Sequence, residues 1–97
     1  MKNIVNIAVQ VLPKSDTKKP YDLVDDAIQV IRESGLKYRV CPFETVIEGP
    51  YDEIMKVIEQ IQNTCFSNGA DELLVYLKIQ NRKNREVTIE DKMHKYD

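Results

Sequence analysis

The stretch from Ser34 to Met55, SGLKYRVCPFETVIEGPYDEIM, constrains the fold more than any other part of this chain. Gly35 follows a helical pattern and is placed to end that helix, because glycine readily adopts the left-handed conformation that closes many helices. Two short strand-like runs then flank the turn Pro42–Glu44, a length suited to a β-hairpin. Asp52 and Glu53 place negative charge where a second helix would begin. The stretch therefore predicts a hairpin between two helices.

Hydrophobic periodicity on either side of this stretch completes the order of elements. The predicted strands are Ile4–Leu12, Leu36–Cys41, Thr45–Gly49 and Leu73–Gln80, and the predicted helices are Tyr21–Glu33 and Tyr51–Asn68. Thr88 followed by Asp91 resembles a capping box, which predicts a short terminal helix over Ile89–Tyr96. The order β-α-β-β-α-β indicates an α+β protein, a ferredoxin-like βαββαβ sandwich with a short C-terminal helix, folded as a single domain over residues 1–97.

The charge pattern excludes several classes of partner. The 97 residues carry 14 basic and 16 acidic side chains, well mixed along the chain, so we expect no nucleic-acid partner. Neither a signal peptide nor an apolar span is recognisable, so we expect no membrane partner. Cys41 and Cys65 lie far apart in sequence and are expected to be free thiols in the cytoplasm. The basic segment Arg82–Arg85 is either a solvated turn or a contact for an anion or a protein.

Catalytic and metal-binding patterns are missing from the sequence. The one histidine, His94, lies near the C-terminus, which leaves a zinc site short of ligands. Cys41 is the best candidate for a nucleophile, but no base can be paired with it. The three glycines each end a predicted element, so no glycine-rich phosphate loop is formed. We therefore predict no catalytic residues, no metal site, no required cofactor and no enzymatic activity.

One face of the predicted sheet has no cover within the chain. In the first and last strands one set of alternating residues is uniformly apolar and faces the helices, whereas the other set is mixed. The mixed set contains Asn6, Ala8, Gln10, Leu12, Tyr76 and Lys78. Parity assigns Phe43 and Thr45 to the same face. This surface is too apolar for solvent and too polar for a core, so we expect it to pair with a second copy of the chain and leave room for a polar small molecule.

The side chains of this face suit a flat heterocycle such as an aminopyrimidine. Gln10 and Thr45 offer neutral donors and acceptors, and the rings of Phe43 and Tyr76 can stack on a ligand ring. A carboxylate such as Glu48 would attract a cationic ring. Two simpler readings stay open: Gln10 and Thr45 can form hydrogen bonds across a subunit interface without any ligand, and Phe43 and Tyr76 can pack in that interface.

Several motifs together resemble the small thiamin-binding protein family. They are VQVLP at Val9–Pro13, PFETVIEG at Pro42–Gly49, NGA at Asn68–Ala70 and the closing R…TIEDK…Y, in the family's order and over nearly the whole chain. The resemblance implies a cytoplasmic, non-enzymatic protein whose protomers pair through their sheets into dimers and often tetramers. It also implies a pocket at that interface for thiamin or its hydroxymethylpyrimidine moiety.

The resemblance also assigns residues to such a pocket. Gln10, Thr45 and Glu48 occupy the motif positions that fall near it, and Phe43 is a looser match. Glu44 departs from the family pattern, because a small residue is common there. The sequence thus favours a homo-oligomeric binding protein for thiamin or its pyrimidine moiety. The alternative is a structural or regulatory interaction protein without a small-molecule ligand.

Overall fold

The computed structural model describes residues 3–97. Within that range four antiparallel strands form one sheet in the order β2-β3-β1-β4. The elements are β1 (Ile4–Lys14), α1 (Pro20–Glu33), β2 (Lys37–Val40), β3 (Thr45–Pro50), α2 (Tyr51–Ser67), β4 (Glu72–Gln80) and α3 (Ile89–Met93). The predicted ferredoxin-like βαββαβ order and the terminal helix are confirmed. The terminal helix is shorter than predicted, since its regular part ends at Met93.

Local sequence signals account for the ends of the helices. Pro20 starts α1, where its missing N–H costs no helical hydrogen bond. Gly35 follows α1 with φ +78°, the left-handed conformation predicted for it. At α3 the Thr88 hydroxyl accepts a hydrogen bond from the Asp91 amide at 3.1 Å, which confirms the predicted cap.

Strand β1 runs two residues further than predicted. The predicted strand stopped at Leu12, just before Pro13, yet Pro13 is paired with Leu73 and Lys14 with Glu72. Proline is tolerated because β1 pairs with β3 only as far as Val9 and from there has β4 as its sole strand partner. One edge of the last part of β1 is therefore unpaired.

The hydrophobic core lies between the sheet and helices α1 and α2. Val5, Ile7 and Ile47 on the strands are fully buried, as is Ile61 on α2. Burying an aliphatic side chain of this size contributes about 1.5 to 3 kcal/mol. These contacts fix the sheet and the two helices as one unit.

The strand register corrects the predicted orientation of the hairpin residues. Thr45 is paired with Val9, and residues paired across an antiparallel ladder point to the same face. Thr45 therefore faces the helices, contrary to the parity assignment. Phe43 lies in the turn itself and is 84% exposed, so it belongs to neither strand face. Counting alternate residues through the turn gave the wrong face for Thr45. The side chains that share a face are set by the pairing register of the strands, which the sequence alone does not give.

The C-terminal segment covers part of the sheet's second face, the face turned away from α1 and α2. The Asn6 side-chain amide donates to the Val87 carbonyl at 2.9 Å. The Ile89 amide donates to Glu48 Oε1 at 2.6 Å. Two hydrogen bonds from Arg39 to the Asp97 carboxylate hold the last residue of the chain. The sequence predicted the terminal helix but not that it would pack on this face.

These contacts divide the sheet into two ends. We call residues 4–8 of β1 and 46–50 of β3 the closed end, because helices cover one face there and residues 87–97 cover the other. We call residues 10–14 of β1, 72–76 of β4 and the turn 41–44 the open end. On the second face of the open end three large side chains stay exposed: Leu12, Leu74 and Tyr76.

Candidate functional site

A cleft of about 220 Å³ opens at the open end of the sheet, between α1 and the hairpin turn. We call it the α1 cleft. It forms where β1 continues beyond its pairing with β3, so that α1 covers a part of β1 that has β4 on one side and no strand on the other. Its walls are mostly aliphatic and include Val9, Val11, Val24, Ile28, Ile31 and Val40. An apolar cavity with few polar groups is typical of sites for small organic ligands.

Thr45 supplies a polar group to this apolar cleft. The residue is only 6% exposed and shares the helix-facing side of the sheet with its paired residue Val9. A threonine hydroxyl both donates and accepts hydrogen bonds. Thr45 can therefore form a hydrogen bond with a polar group of a molecule in the cleft.

Two aromatic rings stand at the mouth of the cleft. Tyr21 at the start of α1 and Phe43 in the hairpin turn both line it, and each is 84% exposed. Phe43 was predicted as a stacking residue, whereas Tyr21 was missed. The signal for Tyr21 was an aromatic residue in the first turn of α1, outside the helix's buried stripe.

The predicted site residues separate into two groups. Gln10, Phe43 and Thr45 all border the α1 cleft. Gln10 is paired with Tyr76, so both of their side chains point to the second face, and Gln10 reaches the cleft from the side of its strand. Tyr76 is 55% exposed on that second face and does not line the cleft.

Glu48 lies at the closed end, away from the other predicted residues. Its carboxylate accepts the Ile89 amide at 2.6 Å and so holds the start of α3. Its ligand-binding role stays a prediction from the family motif. Glu44 is the acidic residue in the lining of the α1 cleft, but its carboxylate forms an ion pair with Lys78 on the second face at 2.8 Å. Glu44 also lines a cavity on that second face.

A second polar region lies beneath α3 on the second face. Two cavities of about 240 and 230 Å³ share Asn6, Val46 and Lys92 in their linings. Asn6 Oδ1 is buried without a hydrogen-bond partner in the described part of the chain. Lys92 donates to Gln80 Oε1 at 2.9 Å, and burial lowers its pKa, with a further decrease from Arg82 and an opposing effect of Glu48.

The two cysteines have different surroundings. Cys65 is fully buried on α2, and burial, followed by the negative charge of Asp26, raises the pKa of its thiol. Cys41 is partly exposed and lines the α1 cleft. Over residues 3–97 no three His, Cys, Asp or Glu side chains come together in a way that could hold a metal ion. No helix in that range is both long and apolar enough to cross a membrane.

Comparison with known proteins decides the family. The family model described as "Thiamine-binding protein" matches residues 7–97. This chain belongs to the thiamine-binding protein family. It is 33% identical over 91 residues to a UPF0045 protein of Clostridium perfringens, covering 94% of this chain and 95% of the relative. It is 34% identical over 92 residues to a UPF0045 protein of Methanocaldococcus jannaschii, covering 95% of this chain and 89% of the relative.

Solved structures of similar proteins agree with the fold. A domain of unknown function from Bacillus cereus superimposes with a TM-score of 0.95 at 37% identity, covering 100% of this chain and 93% of that one. A protein from Thermotoga maritima, described as a candidate for thiamine biosynthesis or salvage, superimposes with a TM-score of 0.87 at 29% identity. The match covers 97% of this chain and 99% of the Thermotoga protein.

Proposed function

We propose that this protein binds thiamin or its hydroxymethylpyrimidine moiety, without catalysis, in the α1 cleft. The observation that carries the proposal is the position of Thr45, a hydroxyl-bearing residue that pairs with helix-facing Val9 and lines a mostly apolar cleft. An aminopyrimidine offers both donors and acceptors to such a hydroxyl. Membership of the thiamine-binding protein family supports the same ligand.

The size of the cleft supports a particular placement of the ligand. Its volume of about 220 Å³ is below the roughly 300 to 1,000 Å³ of pockets that enclose drug-sized ligands. We infer that the cleft takes the pyrimidine ring alone. The second ring of thiamin then lies at the mouth, where Tyr21 and Phe43 can stack against it.

We further propose that the protein is a homo-oligomer whose second faces pair at the open end. Leu12, Leu74 and Tyr76 expose apolar surface there, at 42%, 47% and 55%. A patch of this kind favours association. Leu12 also lines the α1 cleft, so a second copy on the patch would lie beside the bound ligand. Because both cysteines are free thiols, we expect this oligomer in the cytoplasm.

Isothermal titration with thiamin tests the ligand and the role of Thr45 together. Thr45→Val should weaken binding about fivefold to a hundredfold, because one hydrogen bond in a buried site is lost. Thr64→Val is the matched control, since Thr64 lies on α2 outside the cleft. Absence of heat with the folded wild-type protein at millimolar thiamin would overturn the proposal.

Alkylation of Cys41 tests the place of binding. Cys41 lines the α1 cleft and also the smaller of the two cavities beneath α3, so thiamin bound in the α1 cleft should slow its reaction with iodoacetamide, and an unchanged rate excludes both places. Cys65 is fully buried and serves as the internal control, read by mass spectrometry of the two cysteine-containing peptides. Binding by calorimetry with an unchanged Cys41 rate would place the ligand elsewhere.

The second candidate function is that of a structural or regulatory interaction protein. The exposed patch of Leu12, Leu74 and Tyr76 favours it, because such a surface also suits protein contact without a ligand. The basic residues Arg82, Lys83 and Arg85 follow β4 at the closed end and would offer a separate polar contact there. A protein that associates through the patch, yet shows no heat or change in melting temperature with thiamin and its pyrimidine, would support this function.

A further inference from the structure

One edge of β1 forms part of the α1 cleft. Four consecutive residues of this strand, Val9 to Leu12, line the cleft. Side chains of consecutive strand residues point to opposite faces of a sheet, so a cleft confined to one face would be lined by every second side chain only. The cleft therefore reaches the edge of the strand, where main-chain groups are available to a ligand as well as side chains.

The strand register shows which main-chain groups point to that edge. In an antiparallel strand the N–H and C=O of one residue point to the same side, and successive residues alternate. The Cys41 amide donates to the Glu44 carbonyl at 3.0 Å, so Glu44 points to the β2 side and the next residue, Thr45, to β1. Thr45 is paired with Val9. Val9 and Val11 therefore direct their main-chain groups toward β3 and the hairpin turn.

The far end of β1 gives the same direction. The Lys14 carbonyl accepts a hydrogen bond from the Asp71 amide at 2.7 Å, so Lys14 points to the β4 side and Pro13 to the other side. Proline has no N–H, which fits a position on an unpaired edge. Pairing with β3 ends at Val9. Among residues 10–14, Val11 is therefore the residue that presents both an N–H and a C=O to the unpaired edge.

We propose that the main chain of Val11 recognises the aminopyrimidine ring. The inference rests on the proposed function and names the groups that select the ligand. The ring carries a nitrogen acceptor beside an amino donor, a pattern like the one that an amide side chain reads on adenine through two hydrogen bonds. The Val11 N–H donates to the ring nitrogen, and the Val11 C=O accepts from the amino group. The ligand class is thus a flat ring with an acceptor beside an amino donor.

Amide hydrogen exchange followed by NMR, with and without thiamin, tests this contact directly. The Gln10 and Leu12 amides point to β4 and should exchange slowly in both states. The Val11 amide should exchange rapidly in the free protein and about tenfold or more slowly with saturating thiamin, because it gains an acceptor.

The Val75 amide is the matched control for exchange. Val75 is paired with Val11, so its N–H points to the outer edge of β4, and it lies outside the cleft lining. Its exchange rate should be the same with and without thiamin. Equal slowing at Val75 and Val11 would show a general effect of the ligand and would overturn the inference.

Two variants separate the Val11 N–H from the Val11 side chain. Val11→Pro removes the N–H, which no strand partner uses, and should weaken thiamin binding about fivefold to a hundredfold in calorimetry. Val11→Ala trims the side chain and keeps the N–H, so it should weaken binding less. Equal affinities of the two folded variants would overturn the inference. If Val11→Pro does not fold, the exchange experiment on the wild-type protein still decides.

A change in the ligand tests the Val11 C=O. The compound 5-hydroxymethyl-2-methylpyrimidine lacks the amino group that this carbonyl would accept from. Wild type should bind it about fivefold to a hundredfold less tightly than 4-amino-5-hydroxymethyl-2-methylpyrimidine. Equal affinities for the two compounds would contradict the role of the carbonyl.

The outcomes separate the inference from the function beneath it. If thiamin binds while the exchange rate of the Val11 amide is unchanged, the main chain does not read the ligand and the proposed function stands. If neither thiamin nor the aminopyrimidine binds folded wild-type protein, the proposed function fails and this inference fails with it. Slower exchange at Val11 but not at Val75, with a larger loss of affinity in Val11→Pro than in Val11→Ala, supports the inference.

Discussion

The closed and open ends of the sheet are made of the same four strands but differ in what covers them. At the closed end Val5, Ile7 and Ile47 are fully buried under the helices, and residues 87–97 cover the opposite face. At the open end the helix side contains the α1 cleft, and the second face exposes Leu12, Leu74 and Tyr76. The closed end is therefore covered on both faces, whereas the open end leaves a cleft and an apolar surface uncovered.

The difference follows from where the chain's segments end. Strand β3 begins at Thr45, which pairs with Val9. Beyond Val9, β1 therefore has no β3 residue beside it, and a space is left beneath α1. The C-terminal segment crosses the closed end and has its last residue, Asp97, held by Arg39. Nothing in residues 3–97 reaches the second face of the open end in the same way. The residues proposed to bind a ligand therefore lie where packing is incomplete.

The largest expected effect is a loss of unfolding free energy, and it distinguishes a buried residue from the exposed residue paired with it. Ile7 and Ile79 are paired across β1 and β4, but Ile7 is fully buried and Ile79 is 47% exposed. Ile7→Ala should lower the free energy of unfolding by about 2 to 5 kcal/mol, because it leaves a cavity in the core. Ile79→Ala should cost less than about 1 kcal/mol. Urea denaturation measures both, and equal losses would contradict the assigned burial.

A smaller effect is expected where the C-terminal segment joins the closed end. Glu48→Ala removes the acceptor of the Ile89 amide and should destabilise α3 by about 1.5 to 3 kcal/mol. Hydrogen exchange of the Ile89 amide should become faster while exchange in β1 is unchanged. Glu59→Ala, at an exposed position on α2, is the control. Unchanged protection of Ile89 would show that the Glu48 contact does not hold the segment.

The smallest effect on stability is expected at the open end. Leu74→Ser changes a side chain that is 47% exposed and should alter the unfolding free energy of the dilute protein by no more than about 0.5 kcal/mol. The same variant should weaken self-association strongly, as measured by sedimentation velocity. Ser67→Ala at the end of α2 is a control outside the patch. An oligomer unaffected by Leu74→Ser would place the subunit interface elsewhere.

The fold was predictable because its signals are local and agree with one another. Hydrophobic periodicity gave the order of the strands and helices, and Gly35 and Thr88 marked helix ends that the structure confirms. The predicted end of β1 at Leu12 was wrong, because the strand continues through Pro13 to Lys14. A proline ends a strand only where its N–H is needed by a neighbour, and which neighbours a strand has is not a local property.

The candidate site was predictable only in part. Gln10, Phe43 and Thr45 were chosen for their chemistry, and they do border one cleft. The cleft, however, lies on the helix side of the sheet, and Thr45 reaches it because its register with Val9 turns it that way. Tyr21 was missed, since its place in the cleft lining depends on the distance between α1 and the hairpin turn rather than on any motif.

The amino-acid sequence alone determined the class of fold, the sequence of elements and the family, because periodic burial and helix caps act between residues close together along the chain. The tertiary structure alone decided that Glu48 supports α3, that Glu44 borders the cleft, and that the C-terminal segment covers only one end of the sheet. Those outcomes depend on contacts between residues some 30 to 80 positions apart, which require the folded chain.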